Sequence, residues 1–233
     1  MKYISGGYYI VSPSERADYM DKTLLPETIL SASVCLCDFQ PDINILWGGS
    51  QKKKQTYSKE LNLSNSAFEE LEGWVQKKFE DGTFKFPQLF TTVDLAREFK
   101  KTFLNHINDI RIIGIGLEEN FAEEFLDEEE TLSKPAKERY GIETLLMNKT
   151  TMDMEVTKKN GYEVLGFESG QFHSYICNGL EKDYNNNFKF SLNENGFIPN
   201  REMAIKCCEY SNDEELETES VLWLPWAIFE YVL

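Results

Sequence analysis

Apolar and polar positions alternate in short runs over the first 47 residues and then change period. Residues 2–12 are rich in Tyr and Ile, with Gly6-Gly7 inside the run, and predict a strand. Residues 29–39 alternate, with Val34, Leu36 and Asp38 on one side and Ser33, Cys35, Cys37 and Phe39 on the other. That is the period of a half-buried strand. A third short apolar run, 43–47, is closed by Gly48-Gly49. Residues 50–63 are polar, carry Lys52, Lys53 and Lys54, and are expected to form an exposed loop.

The period then becomes helical. Phe68, Leu71, Trp74, Val75, Lys78 and Phe79 fall on an i, i+3, i+4 stripe. Ser64 or Ser66 can cap it, because a hydroxyl accepts from the free amides of a first turn. Asp81-Gly82 ends it. Thr92 is placed to cap a second helix, with Leu95, Phe99 and Phe103 inward and Arg97, Lys100 and Lys101 outward. Residues 111–117, RIIGIGL, are nearly continuous in apolar character and predict a central strand covered on both faces. Residues 118–130 predict a third helix with Phe121, Phe125 and Leu126 as a narrow apolar edge.

The second half continues in the same mixed way. Residues 133–140, with Pro135 and four charges, read as a linker or flap. Residues 161–168 predict a strand, 174–184 a helix and 188–192 a short strand closed by Asn195-Gly196. Pro199 suits a helix start, and 200–209 follow. Residues 211–220 are a second acidic run, and 222–232 form a last strand or edge interrupted by Pro225. There is no internal repeat. The class is α+β, a mixed or antiparallel sheet with helices packed on it. We expect one domain over 1–233, with a flexible linker or flap near 131–140. The expected core is Val34, Leu36, Phe68, Leu71, Trp74, Phe99, Phe103, Ile113, Ile115, Val164 and Leu165.

Charge changes this picture more than composition does. The net charge is −16, and it is not evenly spread. Residues 1–116 hold 14 Lys/Arg against 15 Asp/Glu, whereas 117–233 hold 10 against 25. Such a field repels anions and attracts cations. There is no basic stripe to hold a phosphate backbone, so nucleic acid is not an expected partner. The five cysteines, Cys35, Cys37, Cys177, Cys207 and Cys208, are odd in number and irregular in spacing, as in a reducing compartment. The start of the chain lacks the features of a signal peptide. The longest apolar stretch, 221–233, has 13 residues, fewer than the ~20 of a membrane span. A cytoplasmic protein away from membranes is expected, so the Asn-x-Ser/Thr triplets at Asn62 and Asn148 carry no glycosylation meaning.

Candidate chemistry is sparse. Gly114-Ile115-Gly116 would need a third Gly at position 119 for the dinucleotide fingerprint, and that position is Glu119. Glu118 and Glu119 would also repel a pyrophosphate from the helix start. No Gly-Lys-Ser/Thr occurs. His106 and His173 are the only histidines, and no cysteine pair has zinc-ligand spacing, so neither metal nor other cofactor is expected. On a helix, His173, Cys177 and Glu181 would form one i, i+4, i+8 stripe, and a His one turn from a Cys can activate the thiol. Trp47, Trp74, Trp223 and Trp226 are candidates for a small-ligand site, or simply for core.

The leading expectation is an acidic interaction protein that binds a basic protein partner. Its binding residues would be Glu123, Glu124, Asp127, Glu128, Asp213, Glu214 and Glu215, with Glu129, Glu130, Glu217 and Glu219 beside them. The general character resembles that of small, acidic, cytoplasmic bacterial proteins, some of which neutralise toxins, and an immunity-type inhibitor would fit it. The alternative is a small hydrolase-like enzyme with a Cys177/His173 or carboxylate centre.

Overall fold

The computed structural model describes residues 2–18, 20–33, 36, 44–85, 89–153, 157–213, 216 and 219–231. The first half contains β1 (Ile4–Val11), β2 (Ser14–Glu15), β3 (Thr28–Ile29), α1 (Gln51–Glu60), α2 (Asn65–Glu80), β4 (Phe84–Lys85), β5 (Leu89–Phe90), α3 (Val93–Phe103) and β6 (Arg111–Leu117). The second contains α4 (Glu119–Glu128), α5 (Gly141–Met147), β7 (Thr157–Glu168), β8 (Gln171–Ser174), α6 (Glu181–Phe188), α7 (Arg201–Ser211) and β9 (Trp223–Tyr231). Seven strands form one sheet in the order β4-β5-β1-β6-β9-β7-β8, while β2 and β3 make a separate ribbon. All the pairings described are antiparallel. The fold is α+β.

Helices cover both faces of the sheet. Tyr8, Ile10, Ile112, Val164 and Phe229 belong to one buried cluster, which also takes Leu71 and Val75 of α2, Leu95 and Phe99 of α3 and Cys207 of α7. Ile113, Ile115, Leu165, Trp226 and Ile228 belong to the other, with Ala122 and Phe125 of α4 and Leu145 and Leu146 of α5. The RIIGIGL strand is therefore apolar at successive positions because each face has its own layer of helices. Fully burying one such side chain is worth roughly 1.5–3 kcal/mol.

Two helix starts follow the sequence reading closely. Ser64 Oγ accepts from the Ala67 amide at 3.2 Å, and Thr92 Oγ1 from the Leu95 amide at 3.3 Å. Each cap contributes about 1 kcal/mol. Gly82, with φ +75°, turns the chain out of α2 where an L side chain would be strained.

Other segments differ from the expectation. Residues 50–63 are not a loop, because Ser50 caps α1 and only Tyr57 and Ser58 of that helix are buried. A helix this polar has almost no apolar period to reveal it. Residues 44–48 form a helical turn, not a strand. The predicted strand over 29–39 contributes only Ile29, paired with Ser14; residues 30–33 and 36 are not in a strand, and 34, 35 and 37–39 lie outside the described residues. Only Ser174 and residues from Glu181 onward are regular within 174–184, the former in β8 and the latter in α6. Gly179, at φ +69°, breaks the path between them. Phe188 ends α6, and no strand follows it at 189–192. Pro199 precedes the cap Asn200 instead of entering α7.

Pro225 sits inside β9, opposite Val164 of β7. Pairing of β9 with β6 runs only from Ala227 to Tyr231, so on that side Pro225 lies beyond the ladder. That is where a residue without an N–H is tolerated.

Of the expected core, Phe68, Leu71, Phe99, Phe103, Ile113, Ile115, Val164 and Leu165 are buried. Leu36 and Trp74 are half-buried at its margin, and Val34 lies outside the described residues. Trp74 stays at the margin because its indole N–H donates to Glu98 at 2.8 Å and Lys78 lies over its ring.

Residues 131–140 are surface turns joined to α5. Arg139 Nε donates to the carbonyls of Thr131 and Lys134, and Lys134 Nζ donates to the buried Glu143 at 2.7 Å.

Candidate functional site

The sheet brings the two acidic runs of the second half together. Ala122 and Phe125 anchor α4 to the sheet, with Phe125 packed on Phe167 and edge-on to Trp226. Glu123, Glu124, Asp127, Glu128 and Glu130 are consequently exposed. At the end of α7, Asn212 clamps the start of β9. Its amide group donates to the Trp223 carbonyl at 3.0 Å and its side-chain oxygen accepts from the Trp223 amide at 2.8 Å. Between these clamped points, Asp213, Leu216 and Glu219 lie beside Glu128 of α4.

The result is a cleft of about 490 Å³ lined by Glu128, Asp213, Leu216, Glu219, Val221 and Leu222, with Ser211, Asn212 and Ser220. Asp213 and Glu219 are exposed. Glu214, Glu215 and Glu217 lie outside the described residues. Basic neighbours offset only part of this acid. Lys149 meets Glu119 and Glu123, and Lys134 meets Glu129 at 3.3 Å. The bond from Lys149 holds the Glu119 carboxyl below its ordinary range, whereas burial raises that of Glu129. Among the described residues, no ion pair reaches Glu124, Asp127 or Glu128.

His173, Cys177 and Glu181 do not share a helix. His173 is in β8, Cys177 in the following turns and Glu181 at the start of α6. His173 instead joins the acidic cleft, with Nδ1 at 2.9 Å and Nε2 at 3.9 Å from the carboxylates of Glu219 and Glu168. Asn178 also donates to Glu219, at 3.1 Å. The half-buried Cys177 has its sulfur 3.7 Å from Ser33 Oγ. Glu181 is buried, and its Oε2 has no hydrogen-bond partner.

The remaining candidates are dispersed. His106 Nε2 lies 2.8 Å from the Leu61 carbonyl. Among the described residues, no group of three or more His, Cys, Asp or Glu is placed to hold a metal ion. Trp223 and Trp226 are fully buried in opposite clusters, so the four tryptophans do not build one ligand site. Trp47 is exposed, edge-on to Phe79. The Lys52–Lys54 cluster borders a separate cavity of about 680 Å³ beside α1, lined by Lys52, Lys53, Ser50 and Tyr57 among others. No helix of the described residues is long and apolar enough to cross a membrane.

The cysteines of α7 are poor nucleophiles. Burial pushes the Cys207 thiol up to about 12 and that of Cys208 well above its ordinary value. A thiol alkylating reagent at neutral pH is expected to modify Cys177 and to spare Cys207 and Cys208 in the folded protein. Peptide mapping that found all three modified at one rate would contradict this.

One residue of chemical interest was not anticipated. Glu163, in the middle of β7, is buried, and Ser31 Oγ donates to it at 2.5 Å and the Ala32 amide at 3.1 Å. The available signal was an acid in GYEVLGFE, a run with apolar residues of both parities. Comparison with protein-family models, curated proteins and solved structures found no match to this chain.

Proposed function

We propose that this chain is an acidic cytoplasmic interaction protein whose Glu128, Asp213 and Glu219 cleft receives basic side chains of a protein partner, in the manner of an immunity-type inhibitor. The convergence of these three carboxylates, from α4 and from the segment before β9, carries the reading. Leu216, Val221 and Leu222 give the cleft apolar surface beside its acid. Lys and Arg combine an aliphatic stem with a charged head, so a lining of this mixed kind suits them. Glu123, Glu124 and Asp127 extend the negative surface along the exposed side of α4. Such a field speeds encounter with a basic partner and repels nucleic acid.

Four substitutions, Glu124→Gln, Asp127→Asn, Glu128→Gln and Asp213→Asn, test the reading together. The fold is expected to remain, with its unfolding midpoint unchanged or slightly raised, because like charges on one surface repel. Association with a cationic protein captured by the wild type is expected to slow by about tenfold at low salt. The difference should vanish toward about 1 M salt, where the screening length falls to ~3 Å. Capture that is indifferent to both salt and the substitutions would remove the reading. Unfolding of the quadruple variant would make these acids structural and have the same consequence.

A further inference from the structure

Glu163 lies against the sheet face that carries Leu165 and Trp226, and residues 30–33 cover it. Leu30 and Ala32 enter the same apolar cluster, and Ser31 and Ser33 are buried with them. Several polar contacts among the described residues fix this segment. The Leu30 amide donates to the Asn195 carbonyl at 3.0 Å, and the Ser33 amide donates to Ser31 Oγ at 2.9 Å. Ser31 Oγ and the Ala32 amide both end on the Glu163 carboxyl, and Ser33 Oγ touches Cys177. One carboxyl therefore holds two of the contacts between the segment and β7.

The groups acting on that carboxyl are the Ser31 hydroxyl, the Ala32 amide and the Ser174 hydroxyl. Trp226, its register partner on β9, is uncharged. Tyr175 is a titratable neighbour, and its own proton is held more tightly by burial and, after that, by the Glu163 charge. Among the described residues, no charged side chain adds to these. A carboxylate so placed has hydrogen-bond donors but no counter-ion, and burying a charge without one is costly.

We propose that Glu163 is a proton-operated latch: its neutral form holds residues 30–33 against β7, and loss of the proton releases them so that the carboxylate can be hydrated. Burial lifts the closed carboxyl from 4.5 to about 7 despite its three donors. In the opened segment, in contact with water, it returns toward 4.5. Opening therefore becomes easier as pH rises through this window and levels off above it. Since Ser33 rests on Cys177, opening also changes the surroundings of that thiol.

Amide hydrogen exchange at residues 31–33, corrected for base catalysis, tests the latch. The opening constant is expected to rise by roughly 100-fold between about pH 5 and about pH 8. In Glu163→Gln the rise should fall below about twofold, since an amide does not titrate in this range. Ser31→Ala keeps the carboxyl but removes one donor to its charged form, so its pH midpoint should move upward. This second variant preserves the test if the first does not fold. Strand β6 is the internal reference, because its central amides exchange through unfolding of the sheet. An equal pH rise in Glu163→Gln would overturn the proposal. So would opening constants for 31–33 that coincide with those of β6, because the segment would then open only with the whole fold.

Discussion

Trp226→Ala is expected to destabilise the protein by about 3–5 kcal/mol, the range for removing a large aromatic from a packed core. Its indole is fully buried and meets Phe172 and Phe125 edge-on, at centroid distances of 5.1 and 5.8 Å. It is also the reason for a glycine in β1. A Cβ built on Gly6 would lie 2.5 Å from Trp226 Cζ3 and 3.0 Å from Ile115 Cγ1. The β1–β6 register shifts between Ser5 and Gly7, so the strand irregularity falls where the ring presses on the backbone. Gly6→Ala alone should cost about 1–3 kcal/mol by overpacking. In the Trp226→Ala background the closest of these contacts is gone and only the Ile115 side chain still crowds the added methyl group, so the double variant should lose less than the two single losses together, by about 1–2 kcal/mol. Urea unfolding of the four proteins measures this coupling. Strict additivity would show that the ring does not set the residue at position 6.

Gly6 illustrates which features local pattern reveals. The strand 2–12 was legible from its Tyr and Ile, and RIIGIGL from its unbroken apolar run. The helices after Ser64 and Thr92 were legible because cap and apolar stripe agree. α1 was not, since nearly all of its side chains face water and its start depends on Ser50. The stripe of His173, Cys177 and Glu181 presupposes the helix expected over 174–184, which Asn178-Gly179 interrupts, with Gly179 at φ +69°. Pro225 suggested an interruption, and only the staggered ends of β6 and β7 show why β9 accommodates it. The exposed acids of α4 were legible as a charged helix side. Their meeting with Asp213 and Glu219 was not, because it depends on where α7 and β9 lie on a sheet assembled from distant segments.

The wild-type protein is expected to lose stability as pH rises from about 5 to about 8, by about 2–3 kcal/mol through Glu163 alone. The folded carboxyl sits at about 7, above its ordinary 4.5, because burial penalises the charged form more than its donors favour it. Between these values the native state binds more protons than the unfolded chain. The stabilisation is therefore complete below the lower value, declines through the window and is gone above the upper one. Glu163→Gln removes this dependence. Its carbonyl can accept from the Ala32 amide as the carboxyl does, and its NH₂ can donate to Ser31 Oγ, so both contacts survive and only the one to Ser31 reverses its polarity. The two proteins should be similar near pH 5, and the variant should be the more stable near pH 8. Other carboxylates also titrate in an acidic chain, so the difference between the proteins, not either profile alone, reports Glu163. Urea midpoints at matched pH, with unchanged denaturant slopes, provide that difference. Parallel profiles would mean that the carboxyl is ionised at its ordinary value inside the fold. A variant less stable than the wild type near pH 8 would mean that the charged form, with its three donors, is the one the core is built to hold.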